Sequence, residues 1–179
     1  MRSFPVPVLA HVLAFAGLLL FAAGCHSGNC EAGEFCGCDH VGGQCYLDCA
    51  GSGCSQSCHD SDDCGAVCED DCHFECFSSK RCSNSCGRNC SMVCHDTDEC
   101  GMLCGPGCDY TCRNVSRCGV AVGSGSQVLC QDVGSCVVEC NGDCRVTCVQ
   151  VGSGGCDVRC RNGGVAQDCG GGVFACGPC

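Results

Sequence analysis

The sequence predicts an all-β protein, a disulfide-braced β-solenoid of about six to seven 18-residue coils with two short strands in each coil. Cysteines recur every 18 residues through the middle of the chain, the segments between them alternate in polarity, and residues 18 apart alternate in charge. The 179 residues include 31 Cys and 28 Gly but no Trp. We therefore expect disulfides, rather than a large apolar core, to hold the chain together.

The first predicted element is a signal peptide over residues 1–24. Arg2 gives it a positive start, and an apolar run to Phe21 follows. This run ends in small residues, as a signal peptidase site requires. An uncleaved transmembrane anchor is the alternative, because about 20 apolar residues can span a bilayer.

The end of this segment, Ala22-Ala23-Gly24-Cys25, resembles the lipobox of bacterial lipoproteins. It departs from the usual motif at Ala22, where Leu is typical. The resemblance implies that Cys25 becomes the lipidated first residue, which would anchor the protein in the cell envelope. His26 follows where Asp would retain a lipoprotein at the inner membrane, so the resemblance implies the outer membrane. Secretion without lipid is the remaining alternative.

The mature chain divides into a linker or cap at 25–44, Cys-rich repeats at 45–155 and a second cap at 156–179. Within the repeats, C-x-x-x-C-x-x-x-C-x-x-x-C is followed by five residues. A fixed unit length is what stacked coils require, because each coil must lie over its neighbours. Units begin at Cys45, Cys64, Cys82, Cys100, Cys118 and Cys136.

Each unit predicts two strands rather than a helix. Cys64, Ala66 and Cys68 alternate on one face, and Phe74 has the same place in the next segment. This two-residue period is typical of strands. The triplets between the segments, such as Gly105-Pro106-Gly107, break helices and form turns.

Charge gives an independent check on the stacking. Asp63, Arg81, Glu99 and Arg117 are each 18 residues apart and alternate in sign. Stacked coils would place these side chains about 4.8 Å apart, where opposite charges attract. The series therefore predicts the register between coils.

One degenerate unit suggests the disulfide pairing. Val122 and Ser126 replace the second and third cysteines together, whereas Cys118 and Cys130 remain. Cysteines lost together are expected to be partners, so the second would pair with the third and the first with the fourth. The predicted pairs are Cys49–Cys54, Cys68–Cys72, Cys86–Cys90, Cys104–Cys108 and Cys140–Cys144 across the short turn, and Cys45–Cys58, Cys64–Cys76, Cys82–Cys94, Cys100–Cys112, Cys118–Cys130 and Cys136–Cys148 across the coil.

Two features leave the pairing open. Facing sheets lie about 10 Å apart, whereas a disulfide holds Cα atoms at about 4.4–6.8 Å, so bonds between adjacent coils are an alternative. The caps also hold odd numbers of cysteines, so a cap cysteine pairs outside its cap or stays free. The cap cysteines are Cys30, Cys36 and Cys38 before the repeats, and Cys156, Cys160, Cys169, Cys176 and Cys179 after them.

Two short motifs have competing interpretations. Cys176-Gly-Pro-Cys179 matches the redox motif of thioredoxin-like oxidoreductases, but the preceding sequence has no βαβ pattern, so we interpret it as a turn disulfide. His59 and His95, each followed by acidic residues, could bind a divalent cation, but a solvated charged turn is the simpler interpretation.

The remaining function classes are narrowed by composition. The net charge of −11 disfavours nucleic acid as a partner. Metallothionein-like proteins usually space their cysteines as C-x-C or C-x-x-C, unlike this repeat, and insect antifreeze solenoids resemble it in architecture but present Thr rows that this chain lacks. The chain also has no nucleophile elbow or phosphate-binding loop, so we expect no enzyme, cofactor or metal. We predict an exported, membrane-anchored structural or binding lipoprotein with a protein or polysaccharide partner, and a metal-binding or secreted defence protein as alternatives.

Overall fold

The computed structural model describes residues 28–39, 42–161 and 163–179, which form a β-solenoid of about seven turns. These residues contain strands and no helix, so the predicted all-β solenoid is confirmed. The predicted signal peptide and Cys25 lie outside the described residues. The strands are β1 (Gly28–Glu31), β2 (Phe35–Asp39), β3 (Gln44–Ala50), β4 (Ser55–His59), β5 (Asp63–Cys68), β6 (His73–Phe77), β7 (Arg81–Cys86), β8 (Ser91–Cys104), β9 (Asp109–Val122), β10 (Ser126–Cys140), β11 (Cys144–Val151), β12 (Cys156–Cys160), β13 (Gln167–Gly170) and β14 (Val173–Cys176).

Successive coils stack in parallel with the 18-residue register that the sequence predicts. Cys64 pairs with Cys82, which pairs with Cys100. The predicted charge series follows the same register, since Asp63 pairs with Arg81 and Arg81 with Glu99. The stacking therefore places every equivalent residue of the repeat in one column along the solenoid.

The two sheets are joined more closely than the sequence predicts. In β8, β9 and β10 the five-residue turn is itself part of the strand, which gives strands of 14, 14 and 15 residues. Backbone pairing continues through the turn at Thr97 and Val115. The corner is made by a residue with positive φ, Asp96 in β8 and Asn114 in β9, which are residue types that tolerate this conformation. Pairing thus survives the bend, and the earlier coils have the two short strands expected.

Stacking extends beyond the predicted repeats at both ends. Strands β1 and β2 pair in parallel with β3 and β4, so residues 28–39 form a coil of their own. Strand β12 continues one sheet by pairing with β10. The other sheet ends differently, because β14 lies antiparallel to β11.

The core between the sheets is narrow and lined largely by cysteine. Its largest side chains form one column at 18-residue intervals, in which Phe74, Met92 and Tyr110 are about fully buried. Ala66 and Val120 are buried on the facing sheet. Large residues therefore fill the middle of each coil, and cysteines occupy the ends where the sheets converge.

The structure contains every disulfide predicted across the short turn. Their Cα atoms lie 5.9–6.5 Å apart. These turns have only three or four residues between the cysteines, so the strands converge there without any large side chain between them. The bonds are Cys49–Cys54, Cys68–Cys72, Cys86–Cys90, Cys104–Cys108 and Cys140–Cys144.

The predicted pairing of first with fourth cysteine within a coil is wrong. The fourth cysteine instead bonds to the first cysteine of the next coil, across the five-residue turn. The bonds Cys58–Cys64, Cys76–Cys82, Cys94–Cys100 and Cys130–Cys136 therefore replace the predicted Cys45–Cys58, Cys64–Cys76, Cys82–Cys94 and Cys136–Cys148, while Cys100–Cys112 and Cys118–Cys130 are not bonded.

The rise of the solenoid explains this correction. With about 4.8 Å of rise in each 18-residue coil, Cys76 lies about 3.2 Å above Cys64 but only about 1.6 Å below Cys82. The three sulfurs lie within 4.8 Å of one another, so the end of the coil is narrow enough for a disulfide. The next coil provides the better aligned partner. Cys118 and Cys130 survived the loss of their neighbours because each belongs to the turn of a different adjacent coil.

The same shift in pairing accounts for the caps. Cys38 bonds to Cys45 and Cys148 to Cys156, so a cysteine from each cap pairs with the repeats. The remaining cap cysteines pair among themselves as Cys30–Cys36, Cys160–Cys176 and Cys169–Cys179. Nearly every bond therefore joins two cysteines that are consecutive in the sequence.

Candidate functional site

The main candidate binding surface is an apolar groove on the outer face of the sheet that contains β5 and β7. The groove has a volume of about 560 Å³ and crosses several coils. Its floor is made of small residues one position after the first cysteine, such as Gly65, Gly101 and Gly119. Tyr46 lies at one end and Leu103 stands beside the floor, with 49% and 62% of their surfaces exposed.

Glycine at position 65 is required by the shape of this groove. A Cβ atom there would lie 2.4 Å from Cδ1 of Tyr46, which is closer than real atoms approach. The absence of a side chain therefore lets the Tyr46 ring lie over the neighbouring coil. The groove offers an aromatic ring and aliphatic groups but few polar atoms, so it is suited to apolar side chains of a partner.

A second surface is the charged edge formed by the five-residue turns. Lys80 Nζ lies 2.5 Å from Asp62 Oδ1, and Arg81 Nη2 lies 2.9 Å from Asp63 Oδ2. Hydrogen bonding and attraction from these cations lower the pKa of both carboxyl groups. Arg117 pairs with Glu99 on the same edge. The predicted charge series is confirmed as ion pairs between coils.

The predicted histidine positions form a ring stack rather than a shared cation site. The Phe77 ring lies between His59 and His95, with ring centroids 4.8 and 5.3 Å away. His95 Nδ1 lies 2.7 Å from Asp96 Oδ2, and a similar contact of 3.0 Å joins His59 to its neighbouring aspartate. The two imidazoles are thus separated by a phenyl ring, and one ion cannot bind both.

The C-terminal Cys176-Gly-Pro-Cys179 motif is not a turn disulfide, so that prediction is wrong. Cys176 bonds to Cys160 and Cys179 bonds to Cys169. Cys176 ends β14, where pairing with β11 brings it to the opposite strand of the last coils. Both sulfurs of the motif are therefore used in staples that close the end of the solenoid.

Two cysteines of the described residues remain as thiols. Cys112 and Cys118 are buried at the ends of one five-residue turn. The other cysteines in the described part of the chain are in fourteen disulfides, and a disulfide sulfur is not a thiolate ligand. The thiols are thus one local pair rather than an extended cluster.

The groove was not found by sequence reasoning, although a signal for it was present. Gly65, Ser83, Gly101 and Gly119 recur every 18 residues on the outer face of successive strands. Stacking places such small residues in one column and so leaves a channel along the sheet. The predicted lipidation site, Cys25, lies outside the residues that the structure describes, and within those residues no helix is long and apolar enough to cross a membrane.

Comparison with known proteins gives no relative. The chain matches no protein-family model, no curated protein and no solved structure.

Proposed function

We propose that this protein is an exported lipoprotein, anchored in the bacterial envelope through Cys25, that serves as a non-enzymatic structural or binding protein. The observation that carries the proposal is the set of fourteen disulfides in the described residues. Such bonds persist in oxidising compartments and are reduced in the cytosol. The fold therefore suits a structural protein outside the cell.

The sequence supports the route and the anchor. A basic residue, an apolar run and small residues precede Cys25, in the order of a lipoprotein signal. After cleavage, Cys25 would carry the lipid and begin the mature chain. Only Ser27 and two other residues separate Cys25 from the first buried cysteine, Cys30, so the solenoid would stand close to the membrane surface.

The pattern of bonds supports a rigid, protease-resistant role. Most of the disulfides close loops of 4–8 residues at the ends of coils. A bond across a loop of this size stabilises the fold by about 2 kcal/mol through the entropy of the unfolded chain. The turns, which are the usual sites of proteolysis, are therefore the most constrained segments.

The groove supports a binding role with a protein partner. Its exposed walls, Tyr46, Val67 and Leu103, present apolar carbon to solvent. A polysaccharide would need many hydrogen-bonding groups, which the glycine floor does not provide. A protein partner with apolar side chains fits this surface better.

Intact mass spectrometry of the mature protein tests the anchor. We expect the mass of residues 25–179 plus a diacylglycerol and a fatty acyl group, and a membrane fraction that retains the protein. Cys25→Ser should leave an unlipidated precursor. A mature wild-type chain without added lipid would contradict anchoring, and a retained signal segment would indicate an uncleaved membrane anchor.

Two further experiments test the other parts of the proposal. A thiol count and folding in chelator separate it from a metal-binding protein, because about eight or more titratable thiols or unfolding by chelator would contradict a disulfide-braced fold. A photo-cross-linking residue at Leu103 should give a discrete protein adduct on intact cells. The same residue at Asp109, exposed on the other sheet, is the control; equal adducts at both sites would contradict a role for the groove.

A further inference from the structure

The coil that begins at Cys118 has fewer staples than its neighbours. Val122 and Ser126 occupy its short turn, where every complete unit has a disulfide. Both are buried, and Ser126 Oγ accepts a hydrogen bond of 3.0 Å from the backbone N–H of Cys108. The packing of this turn is therefore preserved, but its covalent bond is lost.

The five-residue turn before this coil carries the two thiols. Cys112 pairs in backbone register with Cys94 below and Cys130 above, while Cys118 pairs with the first cysteines of the adjacent coils. The equivalent cysteines form disulfides on both sides, with Cα–Cα distances of 6.3 and 6.4 Å. Cys112 and Cys118 are thus held between two bonded pairs.

The backbone of this turn has the same conformation as its bonded neighbours. Asn114 has φ of 54°, compared with 55° for Asp96 and 53° for Asp132 at the equivalent corners. Val115 is buried and is paired to both adjacent turns. Nothing in the turn needs to move for a bond that its neighbours already make.

The two thiols are also in contact in a dry environment. They are hydrogen-bonded to each other, and the hydroxyl of buried Tyr110 faces both. Burial raises the pKa of Cys118, and the hydrogen bond with Cys112 raises it further. Because the thiolate is the species that reacts, a thiol buried in this way reacts slowly once the coil has packed.

We propose that Cys112 and Cys118 are a disulfide-forming site, whose bond is made during folding by a dithiol oxidant and completes the ladder of turn disulfides. The Cys118 thiolate attacks a disulfide of the oxidant and forms a mixed disulfide. The Cys112 thiolate then displaces the oxidant. The protein loses two electrons and two protons, and the oxidant, a disulfide-bearing oxidoreductase or a small-molecule disulfide, leaves as a dithiol.

A competing reaction needs no oxidant. Cys118 Sγ lies 3.7 Å from Cys130 Sγ, which is bonded to Cys136. Exchange would form Cys118–Cys130 and release the Cys136 thiol. The rise of the coil opposes it, because Cys130 lies twelve residues after Cys118 but only six before Cys136, and the bond across six residues is the better aligned one.

The cysteine count fits the proposed bond. Fourteen disulfides and the new pair would use 30 of the 31 cysteines and leave only Cys25. The bond does not depend on what happens to Cys25. Lipidation and oxidation can therefore fail separately in experiments.

A non-reducing tryptic map tests the site, because trypsin cuts after both Arg113 and Arg117 within this turn. The exported full-length protein is first denatured and its thiols are blocked with N-ethylmaleimide at mildly acidic pH. Fragment 118–145 otherwise has only internal disulfides, Cys130–Cys136 and Cys140–Cys144. We expect it to remain attached to fragment 89–113 until reductant is added, with no blocked thiol at either cysteine.

Two outcomes overturn the proposal. Release of fragment 118–145 with a blocked Cys118 would mean that the pair stays reduced. Release with a blocked Cys136 would mean that exchange with the neighbouring disulfide has won. Electron-transfer fragmentation of a linked species must place the bond between Cys112 and Cys118, and the double variant Cys112→Ala/Cys118→Ala, as control, must lose the link.

Discussion

Substitution of Gly105 by alanine tests the close stacking of the short turns. A Cβ atom on Gly105 would lie 2.2 Å from the carbonyl oxygen of Gly87 in the adjacent coil. Gly105 has no positive φ, so the clash arises from the neighbouring coil rather than from its own backbone. The backbone of one turn must move, and overpacking of this kind costs about 1–3 kcal/mol.

Gly119→Ala is the matched control, because a Cβ atom there would have no neighbour within 4 Å. It should be neutral or stabilise by up to about 1 kcal/mol, since alanine restricts the unfolded chain. Unfolding is followed by circular dichroism in guanidinium chloride without reductant. A 2 kcal/mol loss corresponds to a fall of about 0.5 M in the midpoint for a slope near 4 kcal/mol/M. Equal midpoints for the two variants would refute coil stacking at this distance.

Three other predictions address charge, covalent bracing and packing. The pKa of Asp62 and Asp63 is lowered in the folded state, so their stabilisation is present above about pH 4 and is lost as the pH falls through the folded values; the unfolding midpoint should fall there, less steeply in high salt or in Asp63→Asn, and a pH-independent midpoint would contradict the ion pairs. Cys94→Ala/Cys100→Ala should lower the free energy of unfolding by about 2 kcal/mol or more, measured by the same titration, and no loss would argue against the turn disulfide. Gly65→Val should disturb Tyr46, detected as a change in near-ultraviolet circular dichroism, whereas an unchanged spectrum would contradict the contact between the ring and this glycine.

The sequence was sufficient for the coil and its register because both follow from a strict period. A shift of one residue would expose the cysteines and place Asp63 away from Arg81, so periodicity and charge agree on one register. The pairing of the second with the third cysteine also followed, because Val122 and Ser126 were lost together. These features depend on residues close in sequence or one coil apart.

The pairing of the fourth cysteine could not be read from that clue alone. The loss of two residues shows which cysteines are partners, but the survival of Cys118 and Cys130 does not show that they bond to each other. The choice depends on height along the solenoid, where Cys76 lies nearer to Cys82 than to Cys64. That height follows from the rise per coil, which a flat diagram of two facing strands omits.

The groove was missed for a different reason. Outward residues were compared with known binding arrays, and Gly101 or Gly119 has no side chain to suggest one. A channel arises when small residues stack beside larger ones such as Leu103, so it is a property of the column rather than of any single coil. Reading every column of the repeat by size, as well as by charge, would have found it.

The most direct test of the central claim is a crystal structure with sulfur anomalous scattering measured at long wavelength. This measurement locates each sulfur independently of the traced chain. We predict paired sulfur peaks for Cys76 with Cys82 and for Cys94 with Cys100, repeated along the axis once for each coil. Peaks that pair Cys64 with Cys76 within one coil, or isolated peaks throughout, would contradict a solenoid braced between consecutive cysteines.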